Sequence, residues 1–191
     1  TGGAGGISVS CDVNAYSTIT GRTGQATICG GDGSVVNYIG IAPGGAQFHA
    51  YAGNETLIGS GSTSNNSFFA SSINGATANL IGGTGHDVFF VGANADTLTG
   101  GGGADTFVFL NQTTKLGASH IAITDFNQSD SIFMVGYSTA NGGLSNVIAN
   151  ATGPAIAGTG TGLTLTLSDN TTVTFSNLTS VTQLSGKIGY F

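Results

Sequence analysis

Asp87, Asp96 and Asp105 stand nine residues apart in the stretch GGTGHDVFFVGANADTLTGGGGADTFVF, residues 82–109, of a 191-residue chain with only nine acidic side chains in all. Glycines precede two of these acids at fixed offsets: Gly83 and Gly85 before Asp87, Gly101 and Gly103 before Asp105. Glycine admits the positive φ that turns carbonyl oxygens inward. Converging carbonyls and carboxylates are hard oxygen donors, and they suit calcium, which takes six or more oxygens at about 2.3–2.6 Å. A further close pair, Asp125 and Asp130, lies in ITDFNQSDSIF. Catalysis finds no support. There is no H-E-x-x-H, no G-x-S-x-G and no phosphate-binding loop, and two acids five apart on a loop do not specify a glycosidase geometry.

The elements that position these acids follow from the same period. Short β-type runs broken by Gly, Asn and Asp read as brief strands between turns. Leu57, Phe68, Leu80, Phe89, Leu98 and Phe107 share one position of the unit, the last four nine apart, and are expected to fill a core between two facing sheets. The sixth position holds Glu55, Ala78, Asp87, Asp96 and Asp105 in turn. Glu55, alone in GNETL, reads as a solvated turn residue, and His86 as exposed. Helices are not expected, because Gly, Ser, Thr and Asn interrupt most windows before three turns accumulate. Residues 1–52 alternate glycine clusters with brief β-type runs on a blurred period. After a Gly-, Ala- and Asn-rich connection from about 138 to 162, GLTLTLSDNTTVTFSNL places Leu163, Leu165 and Leu167 in alternation with threonines. Asp169–Asn170 tolerates positive φ, and Val173 and Phe175 resume the alternation, which predicts a hairpin with one apolar face. The expected fold is all-β, a parallel β-roll or solenoid followed by an antiparallel hairpin cap. Its expected segments are 1–52, a Gly- and Ser-rich stretch of roll that stacks without metal, 53–110, the nonapeptide roll, and 111–191, the DF loop and hairpin cap.

Composition narrows the function classes. Charged residues are 6% of the chain, against about 25% in an average globular protein. The net charge of −6 leaves only Arg22, Lys115 and Lys187 as cations, too few to neutralise a run of phosphates, so nucleic acid is discounted. The 11 Phe, 5 Tyr and many β-branched residues favour a folded β structure over disorder. No run of about 18 apolar residues provides a membrane helix. The chain opens at Thr1 without a classical signal peptide, as a processed product or a fragment would.

The form G-G-x-G-x-D-x-U-x, with U large and apolar, is matched closely by residues 82–90 and 100–108 and resembles the calcium-binding nonapeptide of RTX proteins. Residues 53–191 look like the C-terminal region of RTX-type proteins exported by type I secretion, whose rolls are followed by a DF loop and hairpin strands. Asp125, Phe126 and Asp130 match that loop, and LTLSDNTTVTF resembles the hairpin. The Gly-, Thr- and Asn-rich style also resembles large bacterial β-strand-repeat surface proteins. The resemblance implies two units per coil, so that residues eighteen apart stack and Asp87 meets Asp105. It implies Ca2+ as the bound ion, held by Asp87 and Asp105 with carbonyls of Gly83, Gly85, Gly101 and Gly103, and a second site near Asp125 and Asp130. Asp96 fits less well, because Val91 and Asn94 replace two glycines of its unit, and Ala78 and Thr114 stand eighteen residues to either side.

Cys11 and Cys29 are also eighteen residues apart and would face each other if the roll reaches them; a disulfide suits an extracellular setting, with two free thiols as the alternative. The implied function is an extracellular, calcium-stabilised structural protein of a surface layer, adhesin or matrix. It would leave the cell by the type I secretion apparatus and associate with itself by strand addition through its N-terminal segment. The alternatives are a secretion and folding module of a larger RTX enzyme, and a ligand-binding solenoid of the ice-binding kind. The last would need a regular threonine array, which the sequence offers only in the 163–175 hairpin.

Overall fold

The computed structural model describes residues 6–10, 12–21, 24–40, 45–73, 75–91, 94–111, 119–137 and 162–191. Cys11, Thr114 and most of the 138–162 connection lie outside these residues. Sixteen short strands follow one another in the described chain. The first eight are β1 (Ile7–Ser10), β2 (Tyr16–Thr20), β3 (Ala26–Cys29), β4 (Val35–Ile39), β5 (Ala46–His49), β6 (Asn54–Ile58), β7 (Ser67–Phe69) and β8 (Thr77–Ile81). The rest are β9 (Val88–Val91), β10 (Ala95–Thr99), β11 (Thr106–Leu110), β12 (His120–Ile123), β13 (Ser131–Val135), β14 (Leu163–Thr166), β15 (Thr172–Phe175) and β16 (Ile188–Tyr190).

Odd-numbered strands up to β13, closed by β16, stack into one eight-stranded sheet, and the even-numbered strands up to β14, with β15, form a second of eight. Every pairing is parallel except that of β14 with β15. The chain therefore winds as a solenoid, crossing from one sheet to the other at two corners in each coil. Alternation within each strand sends one row of side chains inward. In the first sheet this row contains Phe48, Phe68, Phe89 and Phe107, fully buried and stacked with ring centroids 4.4, 4.7 and 5.1 Å apart. The second sheet answers with Val36, Leu57, Leu80 and Leu98 in register. Burying each such side chain contributes roughly 1.5–3 kcal/mol, so the apolar residue of the repeat fixes the coil.

The coils differ in length while the strands keep register. Sequence offsets between stacked residues are 18 for Asp87 and Asp105, 21 for Asn66 and Asp87, and 25 for Asp105 and Asp130. Extra residues are taken up at the corners. In β3, Cys29 pairs with Ser10 of β1.

The C-terminal hairpin closes the roll. Asn170 takes φ 64° in its turn, and Leu163, Leu165, Leu167, Val173 and Phe175 are all buried. β15 adds in parallel to β12, and β16 to β13. Phe126 of the DF loop joins the two parts, its ring lying 6.1 Å from Phe107 and 5.3 Å from Phe175.

Candidate metal centre

Four corners at which the chain leaves the second sheet for the first are described throughout, residues 59–66, 82–87, 100–105 and 124–130, and the first three of them carry glycine. Stacking brings these turns close. A Cβ on Gly83 would run into the carbonyl oxygen of Ser62, one on Gly85 into that of Ser64, one on Gly101 into Gly83 O and one on Gly103 into Gly85 O. Gly101 and Gly103 also take positive φ, 91° and 113°. The glycines of the repeat are thus required twice, for handedness at the later pair and for close approach of backbone carbonyls at all four.

The sixth residue of each unit closes this corner. Asn66, Asp87, Asp105 and Asp130 form one buried row along the roll, and each receives the backbone N–H of the residue one coil earlier. Ala46 N–H donates to Asn66 Oδ1 at 3.1 Å, Asn66 N–H to Asp87 Oδ1 at 2.6 Å, Asp87 N–H to Asp105 Oδ1 at 2.8 Å and Asp105 N–H to Asp130 Oδ1 at 3.0 Å. Asp87 is further held by Asn66 Nδ2–H at 3.0 Å and Gly83 N–H at 2.6 Å. Asp125 lies on the rim, where its carboxylate accepts from Gly100 and Gly101 N–H, both at 2.8 Å.

One oxygen in this row stands out. Asp105 is 1% exposed, its Oδ1 is used, and its Oδ2 has no hydrogen-bond partner. That oxygen lies under Gly100, where a Cβ would collide with it. Burial pushes the Asp105 carboxyl up to about 7; Asp130, Asp87 and Asp125 add to this, while the Asp87 N–H works against it. Asp87 and Asp130 are raised by burial as well, against their backbone hydrogen bonds. Leaving a buried acceptor unmatched costs about 1–3 kcal/mol, more for a charged group. A cation at this corner would remove that cost, and the donor set of carboxylates and carbonyls fits a hard one. Among the described residues no three His, Cys, Asp or Glu side chains cluster tightly enough to hold a metal by themselves, so a cation held here would draw much of its coordination from backbone carbonyls.

The structure places the predicted residues unequally. Asp87, Asp105, Asp130 and Asp125 share the glycine corner with Gly83, Gly85, Gly101 and Gly103. Asp130 stacks directly on Asp105, across 25 residues. Asp96 stands at the opposite corner, where its Oδ1 accepts from Ala78 N–H at 3.0 Å, and the register sets Ile121, not Thr114, on its other side. His86 is exposed, as expected. The reading of Glu55 as a solvated turn residue is corrected: it lies within β6, 2% exposed. Asn66 was missed because its unit, SNNSFF, is short and carries an amide where the others carry acids; its place just before a Ser-Phe-Phe strand was the available signal.

Residues 75–108 match the family model of the RTX calcium-binding nonapeptide repeat in four copies. No curated protein and no solved structure matches the chain. The matched repeats, and the parallel two-sheet solenoid into which they wind, fit an RTX-type β-roll protein whose nonapeptides are calcium-binding motifs.

Proposed function

We propose that this chain is an extracellular structural protein, stiffened by calcium at the glycine corner, that serves in a surface layer, adhesin or matrix and associates with its own kind. The supporting observation is the row Asn66–Asp87–Asp105–Asp130, which buries three carboxylates along one line with an oxygen of Asp105 left unmatched. In this reading Asp87, Asp105 and Asp130 supply carboxylates, Gly83, Gly85, Gly101 and Gly103 allow carbonyls to converge, and Asp125 guards the rim. Binding to the folded state alone stabilises it by mass action. Residue-level hydrogen exchange with calcium and with chelator tests the reading: protection of residues 82–130 should rise with calcium, and an unchanged pattern would refute it.

Self-association is supported by strand edges. β1 and β2 end the two sheets, each paired on one side only among the described residues, and an unpaired edge recruits strands unless charge or proline guards it. Light scattering of the calcium-loaded chain should show assemblies that shrink when residues 1–13 are deleted; a monomer at high concentration counts against the idea. Passage outward by type I secretion follows the family resemblance. The Cys11–Cys29 bridge, with Cys11 outside the described residues, belongs to the same extracellular reading. Counting thiols on denatured, non-reduced protein decides it, two free thiols being the refuting result.

A further inference from the structure

The opposite corner, where the chain leaves the first sheet for the second, contains a second anomaly, upstream of the matched repeats. Glu55 is 2% exposed, and neither of its carboxylate oxygens makes a hydrogen bond of normal geometry. The backbone N–H of Tyr51 offsets this only in part, and the charged neighbours that reach it, Asp32 and Asp96, are both negative. Lys187, the one Lys or Arg among the described residues, is engaged elsewhere, donating to the Gln128 carbonyl.

The surroundings are built like a cradle. Register stacks Val35 on Thr56, which sets the glycine turn 30–33 beside the turn 51–54. A Cβ on Gly30 would lie 3.1 Å from Glu55 Cγ, so the first turn packs directly on the glutamate stem. Asp32 reaches across to the second turn: it accepts from Asn54 N–H at 3.0 Å, and its carboxylate fills the space a Cβ on Gly53 would take. Gly53 holds φ 91° there. On the other side Glu55 stacks on Ala78, whose single methyl leaves room for the longer acid.

We infer that these two turns hold their own hard-cation site, with Glu55 as the buried ligand, Asp32 as the rim carboxylate and backbone carbonyls of residues 30–34 and 50–54 completing the set. A divalent cation of the calcium class matches all-oxygen donors, and it supplies the positive charge that a buried carboxylate requires. The site does not depend on the one proposed between Asp87 and Asp105.

Calcium titration by calorimetry, with ion counting by native mass spectrometry, tests it on the full chain. Glu55→Gln keeps shape and removes charge, so the variant should fold yet bind one ion fewer than the wild type. Asp32→Asn should weaken that same ion about tenfold, and Asp105→Asn should remove a different one. If Glu55→Gln retains every ion at wild-type affinity, or Asp32→Asn leaves all affinities unchanged, the site is overturned. Loss of an ion in Asp105→Asn but not in Glu55→Gln would overturn this site alone and leave the glycine-corner reading standing.

Discussion

At the glycine corner the row Asn66, Asp87, Asp105, Asp130 is polar throughout, and every member receives the amide of its predecessor. At the opposite corner the equivalent row reads Ser34, Glu55, Ala78, Asp96, Ile121, alternating polar, acidic and apolar side chains. Both corners close over the same stacked phenylalanines and leucines, so packing of the core does not decide which side chain stands at the sixth position. Backbone approach does. Gly83, Gly85, Gly101 and Gly103 bring carbonyls of successive coils into near contact, whereas at the opposite corner Gly30, Gly33 and Gly53 approach side chains, those of Glu55, Asn14 and Asp32, and Gly75 approaches nothing. A row of acids is sustained where carbonyl oxygens crowd the same space, which is the setting a cation stabilises.

The comparison can be broken or sharpened by substitution. Phe89→Ala removes a ring shared by both corners and should cost about 3–5 kcal/mol. Denaturant unfolding should show the loss with and without calcium, and hydrogen exchange should report it equally on the Asp87 and Asp96 sides. Asp87→Ala with Asp105→Ala should act on one corner only. At a calcium concentration a hundredfold above its dissociation constant, the double variant should forfeit about 2.7 kcal/mol of calcium-linked stability; melting curves with calcium and with chelator measure it.

pH reads both corners alike. Asp105 on one side and Glu55 on the other are both pushed up to about 7, chiefly by burial. Each therefore keeps its proton in the folded chain between about pH 4 and 7, where the unfolded chain has released it. The metal-free protein should lose stability as pH rises through that window, with a slope of up to about 1.4 kcal/mol per pH unit for each such group. Saturating calcium should flatten both contributions, since at each corner the ion takes the place of the proton, and Glu55→Gln should remove only its own share. Thermal melts at pH 4.5 and 7.5 would show it; stability that rises with pH in chelator would contradict the burial argument. The smallest effect belongs to Gly75→Ala, which meets no neighbour but keeps a φ of 84°; left-handed strain alone costs about 1 kcal/mol, and calcium affinity should not change.

Much of this was legible in the sequence because the repeat encodes it locally. The apolar position named Leu57, Phe68, Leu80, Phe89, Leu98 and Phe107, and all six are fully buried. Strict nine-residue spacing between two units also gave the stacking of Asp87 on Asp105. What the spacing could not give was the register wherever corners are longer. Asp130 meets Asp105 across 25 residues and Asn66 meets Asp87 across 21, because strand register follows the buried residue and the surplus loops out. Glu55 was misread for a related reason: a lone acid beside Gly and Asn looks like a surface turn until the strand that carries it is placed between Ser34 and Ala78.

The cap changes the arithmetic of assembly. Between neighbouring coils the chain closes short loops, so the roll can grow one coil upon the last, each new strand meeting a partner only some twenty residues away. The final pairings break that locality: His120 meets Thr172 across 52 residues, and Ile132 meets Ile188 only after the intervening connection has been spanned. The extra closure entropy is modest, about 0.6 kcal/mol for each doubling of loop length, but it places these contacts late. Until they form, β12 and β13 present bare edges at the growing end of both sheets. The interval before the hairpin docks is when this molecule is most open to pairing with the wrong strand, and the rate of that docking sets how long the interval lasts.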